Sequence, residues 1–94
     1  MGAKRDFRGK VVIITGAAGG MGRALSRRFG MAGARLGVTD LDAGAVQAFA
    51  RTLTSEGIES IGIGLDVTDE AACNRAMAEV VDQFGGIDVL ILVA

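Results

Sequence analysis

The sequence has no histidine and no tyrosine, and its only cysteine is Cys73. Without histidine there is no His-based metal site and no His general base. One cysteine excludes an internal disulfide framework and a cysteine-rich zinc site. No metal is expected. A lone thiol suits a reducing, intracellular compartment. Charge of one sign is also lacking: 10 Lys+Arg face 11 Asp+Glu. That balance gives no broad field to attract nucleic acid or an anionic membrane. No apolar run approaches membrane-spanning length. Lys4, Arg5, Arg8 and Lys10 precede an apolar stretch, but Val11 to Ile14 is too short for the core of a signal peptide. Asp6 stands where a myristoylation signal needs Ser or Thr. A cytoplasmic protein is expected.

What is present is half hydrophobic and can bury a core. Short apolar runs alternate with helical patterns. Val11 to Ile14 is a continuous β-branched run, as in a strand buried on both faces. Met21, Leu25 and Phe29, with Ala24 and Ala32 beside them, recur at helical spacing. Leu36 to Thr39 reads as a second strand. Asp42 can cap a second helix with core stripe Val46, Phe49, Ala50 and Leu53, ended by Gly57. Ile61, Ile63 and Leu65 form a third strand. Thr68 or Asp69 caps a third helix whose stripe is Cys73, Ala76 or Met77, Val80 and Phe84. Cys73 reads as a packed apolar position. Gly85 and Gly86 stop this helix, and Ile87 to Val93 is a fourth strand. Arg23, Arg27 and Arg28 read as a solvated helix face.

The order β-α-β-α-β-α-β predicts an α/β fold with a parallel, doubly wound sheet in strand order 3-2-1-4. The first two helices should cover one face and the third helix the other. Strand four would be an apolar edge. The apolar ending Val93-Ala94 reads as an interruption, so residues 1–94 are expected to be part of a larger domain.

Between the first strand and the first helix lies Thr15-Gly16-Ala17-Ala18-Gly19-Gly20-Met21-Gly22. Gly16 lets the chain turn sharply off the strand. Gly20 removes a Cβ, so backbone can approach a pyrophosphate. Gly22 allows the helix to pack close. Free N–H groups of the first turn then face phosphates, aided by the helix dipole. The side chain of Met21 is expected to pack while its amide faces phosphate. Asp40 ends the second strand, where a carboxylate can accept from both adenosine ribose hydroxyls. It would repel a 2′-phosphate: two unit charges 4 Å apart interact by about 4 kcal/mol at an effective dielectric near 20.

Thr15-Gly16-x-x-x-Gly20-x-Gly22 resembles the TGxxxGxG fingerprint of the short-chain dehydrogenase/reductase family. The likeness extends from Val11 to Asp88. It implies the nucleotide-binding front half of a three-layer Rossmann-type oxidoreductase that carries NAD(P) across the carboxyl ends of its strands. The family often places a basic residue at the positions of Gly19 or Leu41 to accept NADP. Their absence favours NAD. The resemblance implies that Asp66 accepts from the adenine amino group, with the Val67 amide nearby. The cofactor-binding set is then Gly16, Ala18, Gly20, Met21, Gly22, Asp40, Leu41, Asp66 and Val67, with a backbone contact at Ala94. Asp88 is expected to be structural.

The likeness breaks at Leu92-Val93-Ala94, where the family usually reads Asn-Asn-Ala before a glycine. The family's Tyr, Lys and Ser of hydride transfer have no counterparts here, so no catalytic residue is assigned. The chain alone is expected to be inactive, its alcohol or ketone substrate belonging to the full-length parent. The family also implies a homo-oligomer. Two other readings stay open. One is a stand-alone nucleotide-binding or structural fragment. The other is a methyltransferase-like fold, against which Thr15, the Gly20-x-Gly22 spacing and Asp66-Val67 argue.

Overall fold

β1 (Val11–Thr15) is buried along its whole length. It lies between β2 (Arg35–Asp40) and β4 (Val89–Leu92), parallel to both. β3 (Ser60–Gly64) pairs parallel with β2, giving the expected order 3-2-1-4. The structure is a computed structural model that describes residues 7–93. The readings on Lys4, Arg5, Asp6 and Ala94 lie outside the described residues. Among the described residues, no helix is long and apolar enough to cross a membrane.

Side chains alternate across a strand, and both faces of β1 are used. Val12 and Ile14 join Leu36 and Val38 beneath α2 (Ala43–Ser55), which contributes Val46, Phe49, Ala50 and Leu53. Phe29 of α1 (Gly20–Met31) packs against the same cluster. Val11 and Ile13 meet Val80 and Phe84 of α3 (Glu70–Phe84) on the other face, with Ile61 and Ile63 at its margin. The glycine between those two isoleucines has a packing reason. A Cβ on Gly62 would sit 2.6 Å from the Val46 carbonyl oxygen, so α2 lies almost on the strand.

Asp42 caps α2 by accepting from the Ala45 amide at 3.0 Å. Of the two candidates for α3, Asp69 is the cap and accepts from Ala72 at 3.1 Å. α3 ends at Gly85, in the left-handed region at φ 91°. Asp88 exchanges two bonds with Val11: its amide donates to the Val11 carbonyl at 2.9 Å, and its carboxylate accepts from the Val11 amide at 2.8 Å. It fixes β4 to the amino end of β1, a structural role as expected.

Several details differ from the sequence reading, beginning with β3, which ends at Gly64 and leaves Leu65 in the loop after it. The ladder of β4 covers only Val89–Leu92, because Ile87 and Asp88 form the approach to it. In α1 the buried line runs through Gly22 and Ser26, while Met21 is 70% exposed and Ala24 is exposed. The helix sits too close to the turn before it for large side chains there, and the buried Ser26 hydroxyl is satisfied by the Gly22 carbonyl at 2.7 Å. In α3 it is Ala76, not Met77, that is buried, and Cys73 is half-buried with its Sγ 3.6 Å from the Val67 carbonyl oxygen. The arginines of α1 do more than meet solvent. Arg27 makes a two-pronged contact with Glu56 at 2.9 and 3.2 Å, and Arg23 and Arg27 lie over the Phe49 ring. They tie α1 to α2.

Candidate functional site

The carboxyl ends of β1, β2 and β3 deliver three loops to one edge of the sheet. The first is the glycine turn. Gly16 adopts φ 65°, which a residue with a Cβ reaches only at a cost. A Cβ there would also lie 2.5 Å from the Val93 carbonyl oxygen. Gly22 is constrained by approach instead. Its Cβ would lie 2.6 Å from the Cα of Ala17, so the start of α1 is pressed against the turn. At Gly20 a Cβ would meet nothing within 4 Å. The first turn of α1 therefore opens outward at that point. The N-cap, Gly19, brings no side-chain acceptor. The amides of Gly20, Met21 and Gly22 are the first of the helix and have no intrahelical acceptor.

The second loop begins at Asp40. Its carboxylate accepts from the Ala18 amide and from the Asp42 amide, both at 3.0 Å. The third begins at Leu65, whose amide donates to the Asp40 carbonyl at 2.9 Å. Asp66 follows, exposed, with one oxygen accepting from the Thr68 hydroxyl at 2.6 Å and the Thr68 amide at 2.9 Å. The hydroxyl, and then the amide, hold the Asp66 carboxyl below the usual aspartate range. Thr68→Val keeps the amide and removes the hydroxyl. It should raise the Asp66 pKa, a shift read by carboxyl carbon NMR during an acid titration. A lowered carboxyl pKa stabilises the fold above the unfolded pKa and is lost as pH falls through the folded one. The variant should therefore narrow that acid-side window.

A groove of about 280 Å³ joins these loops. Gly16, Asp40, Leu41, Asp66 and Val67 all line it. Ala18 reaches it through its bond to Asp40. Gly20, Met21 and Gly22 stand beside the turn at the head of α1 rather than in the groove lining. The expectation that the Met21 side chain packs is corrected: it points to solvent, because the face of α1 turned to the sheet runs through Gly22 and Ser26. Ala94 lies outside the described residues.

Four groove residues escaped the sequence reading of the site: Thr15, Thr39, Leu65 and Val93. Thr15 accepts from the Val93 amide at 3.2 Å and so ties β4 to the glycine turn. Its place at the head of the fingerprint was a usable signal. Thr39 acts through its carbonyl, which accepts from the Ala17 amide at 2.9 Å. A backbone contact of that kind leaves no trace in residue type.

A second hollow, of about 460 Å³, lies on the α3 side of the sheet between Ile13, Val80, Leu90 and Leu92. It is larger and mostly apolar, with Thr15 and Thr39 lining it as well as the smaller groove. The smaller groove carries the carboxylates and the turn, and is the better match for a ligand with phosphates and hydroxyls.

The model of the family described as short chain dehydrogenase matches residues 10–94. A sorbitol dehydrogenase from Cereibacter sphaeroides is 40% identical over 83 residues, covering 88% of this chain and 31% of that protein. A D-threitol dehydrogenase from Mycolicibacterium smegmatis is 39% identical over 88 residues, covering 92% of this chain and 34% of that protein. Among solved structures, the apo form of LigD from Sphingobium sp. strain SYK-6 superposes with a TM-score of 0.87 at 41% identity. That match covers 90% of this chain and 37% of the LigD chain. The chain thus spans about a third of the length of these relatives. The family model covers nearly the whole chain, and the 3-2-1-4 sheet agrees with it: the chain belongs to the short-chain dehydrogenases, a family of oxidoreductases.

Proposed function

We propose that these residues form the NAD-binding portion of a dehydrogenase that exchanges hydride between NAD and an alcohol or ketone. The observation that carries the reading is the Asp40 carboxylate, set at the end of β2 and bonded to the glycine turn at Ala18. The residues present fit a dinucleotide. The outward-opening first turn of α1 leaves room for a diphosphate at Gly20, and the groove beside it carries acceptors for hydroxyl and amino groups.

In this reading the amides of Gly20, Met21 and Gly22 hold the diphosphate, with Gly16 and Ala18 shaping the turn. Asp40 would accept from the ribose hydroxyls, with Leu41 lining the groove beside it. Asp66 accepts from the adenine amino group beside the Val67 amide. A backbone contact from Ala94 belongs to the same reading. When bound, the nicotinamide supplies hydride exchange. The chain's own residues would hold the adenosine and diphosphate parts of the cofactor. They include no tyrosine to move the accompanying proton, so turnover would rest on residues elsewhere in a parent protein.

NAD is favoured over NADP because Gly19 and Leu41 provide no cation for a 2′-phosphate, while Asp40 repels it. Small alcohols are the substrate class, by analogy with the polyol names of the sorbitol and D-threitol relatives. We further infer a cytoplasmic protein without nucleic-acid or membrane partners, homo-oligomeric in its full-length form.

Calorimetric titration of the chain tests this. NAD should bind, NADP at least about tenfold more weakly, corresponding to about 1.4 kcal/mol. S-adenosylmethionine should give no heat, and a hydride-transfer assay on the chain no turnover. Absence of NAD binding, or preference for S-adenosylmethionine, would remove the reading.

A further inference from the structure

The glycine turn does not hold its shape alone. The Ala17 amide donates to the Thr39 carbonyl at 2.9 Å, and the next amide, Ala18, donates to the Asp40 carboxylate at 3.0 Å. The Gly19 amide closes on the Gly16 carbonyl at 3.3 Å. Each of the three amides before α1 is thereby occupied. Two of them are held by consecutive residues of β2, and of those only Asp40 acts through its side chain.

Asp40 also reaches the other two loops. Its second carboxylate oxygen accepts from the Asp42 amide at 3.0 Å, and Asp42 is the cap of α2. Its carbonyl accepts from Leu65, the residue before Asp66. We propose that Asp40 is a positioning residue for the glycine turn, a latch that sets the direction of the first α1 amides whether or not a sugar is bound. The phosphate ligand assumed here rests on the function proposed above.

The chemistry is compatible with both duties. A carboxylate offers about four lone-pair directions, two on each oxygen. The two backbone amides occupy one on each oxygen. One on each oxygen remains, which suits a pair of adjacent hydroxyls. An asparagine cannot do the same. It has one accepting oxygen for two amide donors, and its own NH₂ group would face whichever donor is left over. The Ala18 bond is charge-assisted, so its loss should matter more than that of a neutral pair. With the latch gone, the Ala17–Thr39 backbone bond is the remaining hydrogen bond described between the turn and β2.

The consequence concerns cofactor choice. Substituting Asp40 to admit a 2′-phosphate would remove the repulsion and the latch together. Such variants should lose affinity for ligands that carry no phosphate on the sugar and make no use of its hydroxyls.

The test has two parts, applied to the chain and to Asp40→Asn and Asp40→Ala. The first needs no ligand. Amide hydrogen exchange by NMR should show Ala18 exchanging about tenfold faster or more in both variants, with Ile13 in β1 unchanged as the measure of an intact fold. The second compares ADP with 2′,3′-dideoxy-ADP by calorimetry. A residue that only clasps the sugar leaves dideoxy-ADP affinity unaltered on substitution. A latch lowers it, by about fivefold or more. Unchanged protection at Ala18 overturns the proposal. Faster exchange with undiminished dideoxy-ADP affinity overturns the role in phosphate binding. If the unsubstituted chain binds neither nucleotide, the function proposed above fails, and the exchange rates alone decide the latch.

Discussion

Gly22→Val is expected to abolish measurable NAD binding and to destabilise the fold by about 3 kcal/mol or more. The new side chain would start 2.6 Å from the Ala17 Cα and 2.9 Å from the Gly16 carbonyl carbon. Both are backbone atoms of a turn held by bonds to β2, so neither can rotate aside. The helix must lift away, and its first amides move with it. A displacement of 1 Å is enough to spoil several short hydrogen bonds to a phosphate at once. Chemical denaturation measures the first effect and calorimetry with NAD the second. Affinity within twofold of the unsubstituted chain would mean that the helix start has slack absent from this packing.

The second large effect is on stability alone. Leu53, on the inner face of α2, is fully buried and packs in the core cluster with Val46 and Phe49. Leu53→Ala should cost about 2–5 kcal/mol, the usual range for a cavity of this kind. A domain of this size has only about 5–15 kcal/mol in hand. Each kcal/mol moves the midpoint by roughly 4–8 °C in domains of this size, so thermal denaturation should shift by more than about 10 °C. NAD affinity of the folded fraction should stay near its original value. Leu53 lies at the end of α2 remote from Asp40, beside the turn to Ile58. The two variants therefore separate the core from the edge: one loses the fold's margin and keeps the site, the other loses the site first.

Much of the architecture was legible because its signals are local or periodic. The β-branched run at Val11, the stripe from Val46 to Leu53 and the caps at Asp42 and Asp69 each announce an element through residue type at fixed spacing. The glycine turn was legible for a similar reason. Gly16 and Gly22 solve steric problems that leave few other residues possible, and the structure shows the clash each avoids. What sequence could not show is which face of α1 turns inward. Met21, Leu25 and Phe29 look like the core stripe, yet the closest approach is made by Gly22 and Ser26, residues with little or no apolar signal. Choosing the tighter-packed line over the more hydrophobic one requires knowing where the turn lies in space. The bond from Ala18 to Asp40 was hidden for the same reason. Both residues were singled out, but 22 positions separate them, and nothing in their types says that one holds the other.

The paired bonds between Val11 and Asp88 span 77 positions of the chain. Closing so long a loop costs more entropy than closing the short ones that join β2, α2 and β3, although the cost grows only with the logarithm of length. β1 therefore acquires its two neighbours at different moments. The β2 side can zip early through nearby contacts, whereas β4 docks only after most of the polypeptide is already in place. On this ordering, docking of β4 is expected to be the slow step of folding, and hydrogen exchange should show the β1–β4 ladder opening before the β1–β2 ladder.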